Sequence, residues 1–130
     1  MSLQLETKKN ACLSPLTFQC VSQLLSLCDI SSATLNIPGV LEVQRYVAQF
    51  LRGLGFKTHY HRHPQEIYAP VLEGYYDVGS ELTVTFVFHA DTVLENTDHR
   101  VRFSEDKELI YGPGVADDKG GITVALQGLF

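Results

Sequence analysis

The sequence has no tryptophan, a single methionine and only three cysteines, and none of its apolar runs is long. Each shortage excludes something. A helix that spans a bilayer takes about 20 predominantly apolar residues. The one stretch that could pass for a signal-peptide core is interrupted by Gln19, Ser22, Gln23 and Ser26. A soluble, cytoplasmic protein with no membrane partner is expected. Cys12, Cys20 and Cys28 are odd in number, sit in the first quarter and lack CxxC spacing, which argues against a zinc ribbon or a redox motif and for free, partly buried thiols. Basic residues are scarce too. Ten Lys and Arg against fifteen Asp and Glu leave a net charge of −5, which repels phosphate backbones, so nucleic acid is not an expected partner. Internal repeats and low-complexity tracts are absent.

What is present suits one folded domain. With 45% hydrophobic and 19% charged residues the composition is that of a globular protein, and a chain of this size can bury roughly two-thirds of its unfolded surface. Residues 1–12 are polar, without periodicity, and read as a tail; residues 13–130 read as the folded portion. Ser14 and Pro15 suit an N-cap and first helical position, and Leu16, Cys20, Leu24 and Leu27 then share a helical face, ending near Cys28. A loop over Asp29 to Pro38 leads to a second helix carrying Val40, Val43, Val47, Phe50, Leu51 and Leu54, closed by Gly53 and Gly55. Lys57 to Arg62, Glu66 to Tyr75 and Glu81 to Phe88 read as strands, and their short joints make them antiparallel neighbours. Leu82 to Phe88 has too few polar residues for an exposed face and is expected to be a central strand, with His89 at its C-terminal mouth. Val101–Phe103 and Leu109–Tyr111 suggest a short hairpin. A third helix starts near Lys119, with Ile122, Ala125, Leu126 and Leu129 on its apolar face. The expected class is α/β, a mixed sheet with flanking helices. Because a helix that leaves a sheet usually returns to it, the chain reads as a fragment.

Two motifs carry chemistry. In His89-Ala90-Asp91, residues two apart in an extended chain point the same way, so the Asp91 carboxylate can orient the His89 imidazole, as metal-ligating histidines require. Gly112 to Gly121 reads GPGVADDKGG, with four glycines around an acidic pair. Lys119 precedes the glycine pair instead of following it, and Asp117 occupies the sixth position of a would-be GxGxxG, so neither phosphate-loop pattern fits. Asp117 and Asp118 at a helix N-terminus would also repel phosphate. Carboxylates suit a cation instead: zinc takes His nitrogen and Asp oxygen, and one carboxylate can bridge two ions.

HADTV followed by GPGVADDKGG resembles the two N-terminal signatures of the acetylornithine deacetylase, succinyl-diaminopimelate desuccinylase and glutamate carboxypeptidase family, and is most similar to the glutamate carboxypeptidase branch. The likeness runs from about Leu13 to Phe130. It implies the N-terminal part of a zinc-exopeptidase-like catalytic domain that binds two zinc ions, with cobalt or manganese as alternative occupants. It makes His89 a metal ligand, Asp117 the carboxylate bridging both ions, and Asp91 the catalytic acid behind His89. It also implies a cis peptide between Asp117 and Asp118. The activity implied is hydrolysis of an amide beside a free carboxylate, on a small peptide or an N-acyl amino acid. Carboxypeptidase is preferred to deacylase, with an inactive metal-binding fragment as the further alternative. The general base, the remaining ligands and a lid domain that would carry homodimerisation are expected beyond residue 130. The chain alone is therefore expected to hold metal weakly and to lack turnover.

Lesser candidates read as structural. His59, His61 and His63 alternate along one strand and are taken as a solvated face. His99 reads as a loop residue, Tyr75 and Tyr76 as packing residues, and Lys119 as a neutralising neighbour of the acidic pair.

Overall fold

Ser14 starts the first helix as its residue type predicts: its hydroxyl accepts from the Thr17 backbone N–H at 3.1 Å, and Pro15 opens α1 (Pro15–Asp29). These elements belong to a computed structural model that describes residues 14–93, 101–106 and 108–130. The expected tail and His99 lie outside the described residues. The buried face of α1 is Gln23, Leu27 and Cys28, whereas Leu16, expected on that face, is 56% exposed. The second helix, α2 (Ile37–Gly53), begins inside the stretch expected to be loop, since the Asn36 side chain caps it by accepting from Gly39 N–H at 3.3 Å.

The third helix, α3 (Lys119–Gly128), lies against α1, and a bond from Gln127 Nε2 to Gln23 Oε1 at 2.9 Å ties the two. The core is helical. Leu27 of α1, Val43 of α2 and Ile122 and Leu126 of α3 form one buried cluster, with Phe50 and Leu51 packed on it. Burying each such side chain stabilises the fold by about 1.5–3 kcal/mol.

The β structure is smaller than expected. Strands β1 (Lys57–His61) and β2 (Val71–Tyr75) pair antiparallel and pack on α2. Strands β3 (Arg102–Phe103) and β4 (Ile110–Tyr111) form the expected short hairpin. Each sheet has two strands. Leu82 to Phe88 is not a central strand: among the described residues it makes no strand pairing, and Leu82, Val84 and Val87 are 85%, 77% and 85% exposed. A strand exists only where a neighbour takes up its backbone donors and acceptors, and neither two-stranded sheet extends to this segment. The result is a small mixed α/β unit rather than one mixed sheet flanked by helices.

Candidate metal centre

The site begins with a backbone tie between distant loops. Thr92 N–H donates to Ser32 O at 2.8 Å and Thr34 N–H donates to Thr92 O at 3.1 Å, an isolated parallel bridge centred on Ala33 and Thr92. It fixes the His89–Thr92 segment against the connection between α1 and α2. The Thr34 hydroxyl then donates to Asp91 Oδ2 at 2.6 Å. The bond holds the Asp91 carboxyl below its ordinary value, and it is the largest cause of that shift.

His89 sits between two aspartates. Its Nδ1 lies 3.0 Å from the Asp91 carbonyl oxygen and 3.3 Å from Asp91 Oδ1. A carbonyl oxygen only accepts, so Nδ1 carries the proton and donates it to Asp91. The other ring nitrogen, Nε2, is 2.8 Å from Asp117 Oδ1. The bond to Asp117 is the leading reason that the imidazole is pushed above its ordinary value; partial burial opposes the shift. The expected trio is therefore assembled, with Asp91 on one ring nitrogen and Asp117 on the other. His89 is about half exposed and the Asp117 side chain is 80% exposed, so the Nε2 side is open to an incoming ion or substrate.

The glycine loop delivers Asp117. Gly114 takes φ +77°, a left-handed conformation, and a Cβ there would sit 2.9 Å from Lys119 Cδ. Gly120 lies so near the Val115 carbonyl oxygen that a Cβ would overlap it. The Asp117–Asp118 peptide is cis, as the resemblance implies.

Lys119 does not act as expected. Its side chain is fully buried, and Nζ donates to Ile30 O at 2.7 Å, at the C-terminal cap of α1. There a cation meets the negative end of a helix dipole. Burial pushes the ammonium below its usual value, and burial pushes the nearby Cys28 thiol up to about 11, with the Lys119 charge pulling it the other way. Cys20 and Cys28 are free thiols, as expected, and Cys12 lies outside the described residues.

Thr34 and Ile30 escaped the sequence reading because nothing local in a Ser- and Thr-rich loop marks a partner 57 or 89 residues away. His59 and His61 are exposed, as a solvated face requires, and His61 Nε2 meets Glu73 Oε2 at 2.7 Å. His63 is half-buried and stands edge-on to Tyr68 at 5.6 Å. Tyr75 and Tyr76 are both about half exposed, and Tyr76 stands against the Phe56 ring at 5.1 Å.

Among the described residues, no set of three or more His, Cys, Asp and Glu side chains is arranged to hold a metal ion. The donors at His89 Nε2 and Asp117 nevertheless suit zinc chemically, one imidazole nitrogen and one carboxylate. No family model and no curated protein matches the chain. Among the described residues, no helix is long and apolar enough to cross a membrane.

Proposed function

We propose that His89 and Asp117 are part of a two-zinc centre in a hydrolase that cleaves an amide beside a free carboxylate, in the manner of the glutamate carboxypeptidase branch that the motifs resemble. The observation that carries this reading is the placement of His89 between Asp91 and Asp117, residues 28 positions apart in the case of Asp117, with Nδ1 engaged and Nε2 turned to an exposed carboxylate. That is the arrangement a zinc-ligating histidine needs, with the distal nitrogen fixed by an acceptor and the proximal one presented. Asp91 holds the Nδ1 proton, Thr34 holds Asp91, and the cradle around Gly114 holds Asp117. When bound, a zinc pair supplies Lewis acidity that polarises an amide carbonyl and activates water.

A deacylase of the same family remains the second reading, because the recognised carboxylate and the amide are common to both substrates. In either case the substrate is a small peptide or an N-acyl amino acid. Among the described residues, His89 and Asp117 would hold the zinc, and with only these two donors the 130-residue chain is expected to bind it weakly and to show no turnover.

Zinc titration of the 130-residue chain, followed at the ring resonances of His89, tests the centre. A saturable shift of those resonances that disappears in Asp117→Asn is expected, together with substoichiometric zinc after gel filtration and no hydrolysis of an N-acyl glutamate. His89 resonances that ignore zinc, or that respond identically in Asp117→Asn, would overturn the assignment.

A further inference from the structure

A cleft of about 520 Å³ opens between α2, β1 and the 62–70 connection, sharing no lining residue with the His89 centre. Small-molecule sites occupy about 300–1,000 Å³, so the size suits a compact organic ligand. Its lining follows from the elements. Ile37, Leu41 and Arg45 follow each other at four-residue spacing along α2, and Arg52 comes two turns later on the same face. Across from them β1 contributes Tyr60, and Arg62 follows it two residues on. Thr58, on the same face as Tyr60, accepts from Arg52 Nε at 2.7 Å and fixes that guanidinium. Tyr68 supplies a second aromatic wall, with the His63 ring against it.

The charge here runs against the rest of the molecule. In a chain of net charge −5, three of the five arginines line this one cleft. Among the described residues that line it, Glu66 is the one carboxylate, and its Oε1 lies 3.3 Å from Arg62 Nη1. Among the described lining residues, three guanidiniums stand against one carboxylate, an excess of positive charge. A phosphomonoester carries a charge of about −2 at neutral pH, where a lone carboxylate carries one negative charge. Arginine forks also match the oxygens of phosphate.

A second, independent observation concerns Glu66 itself. Its φ is +53°, the left-handed region that a residue with a side chain seldom adopts, in a turn closed by Glu66 N–H donating to His63 O at 3.0 Å. Such backbone conformations gather at ligand clamps. This turn sets an acidic side chain on the arginine rim, where an incoming anion would compete with it.

We propose that the cleft binds an aromatic phosphomonoester, with the phosphate on Arg45, Arg52 and Arg62, the ring between Tyr60 and Tyr68, and Glu66 as the internal competitor that the ligand displaces from Arg62. Calorimetric titration of the whole chain with phenyl phosphate tests it. Saturable one-to-one binding is expected, with inorganic phosphate and benzoate each about tenfold weaker, the scale of a lost ring contact or of a lost charge-assisted fork. Arg45→Ala and Arg62→Ala each weaken phenyl phosphate by about tenfold, and Arg62→Lys weakens it too because the fork is lost. Glu66→Gln tightens it. Circular dichroism checks each variant, and Arg45→Lys stands in for any alanine variant that fails to fold. His89→Ala leaves binding unchanged, which separates this cleft from the zinc centre. Absence of saturable binding, equal affinity for phenyl and inorganic phosphate, indifference to the arginine substitutions, weaker binding in Glu66→Gln, or loss of binding in His89→Ala would each overturn the proposal.

Discussion

Replacing Lys119 by methionine and, separately, by alanine divides its contribution into a polar and an apolar part. Its side chain is fully buried, its ammonium is bonded to the Ile30 carbonyl at 2.7 Å, and its stem lies where a Cβ on Gly114 would be. Methionine keeps the stem and removes the charge. The lost bond to a charged donor is worth about 1.5–3 kcal/mol, and the favourable position at the end of α1 adds about 0.3–1 kcal/mol. Against this stands relief of the desolvation that lowers the ammonium's pKa. The net cost expected for Lys119→Met is about 1 kcal/mol, because removing a buried charge offsets much of the lost bond. Alanine removes three further buried methylenes at about 0.8 kcal/mol each, so Lys119→Ala should cost about 3 kcal/mol or more once the cavity is counted. Urea unfolding of the three proteins, analysed by linear extrapolation, measures both. Equal losses in the two variants, or an alanine variant within about 0.5 kcal/mol of wild type, would refute the reasoning, since only exposed positions behave that way.

Two more expectations follow from buried and exposed surfaces. The Cys28 thiol is raised from 9.0 to about 11 in the folded protein, so its contribution is complete below pH 9 and is lost as pH rises through about 11. At about 1.4 kcal/mol per unit the loss is at most about 2.7 kcal/mol. Lys119, whose value is lowered, changes stability in the opposite direction over the alkaline range. The assay is therefore the difference in pH slope between wild type and Cys28→Ala; identical slopes between pH 9 and 11 would be the contrary result. Leu82 to Phe88 is charge-free, contains neither proline nor glycine, and exposes Val84 and Phe86 at 77% and 63%. Such segments pair with copies of themselves. Sedimentation velocity should show concentration-dependent association that Val84→Lys suppresses, and a wild type that stays monomeric at high concentration would contradict it.

The parts of the fold legible in the sequence were those whose causes are local. Ser14-Pro15 marks a helix start whatever surrounds it, and the spacing of Val40, Val43 and Val47 needs only the helical period. The meeting of His89 with Asp91 and Asp117 was legible because the two motifs carry donor and acceptor side chains of matching type, whatever role they play. Leu82 to Phe88 was misread because its composition describes a strand with neighbours on both sides, and composition does not say whether neighbours are there. The exposed Leu16 and the early start of α2 are failures at element ends; in α2, capping by Asn36 outweighs the loop-like look of the residues around it. Thr34 and the Lys119–Ile30 bond were out of reach, since both are partnerships across the chain between residues of unremarkable type.

The bridge at Ala33 and Thr92 makes the α1–α2 connection a ruler. Surface connections ordinarily accept an extra residue with little consequence. Here the spacing is fixed at both ends: Ile30 O accepts from the Lys119 ammonium, and four residues on the Thr34 hydroxyl donates to Asp91. One added residue between them would force a choice between keeping α3 docked and keeping the His89 proton on Nδ1. The tolerance of this short stretch to change in length is thereby coupled to the protonation state of an imidazole that lies more than fifty positions downstream.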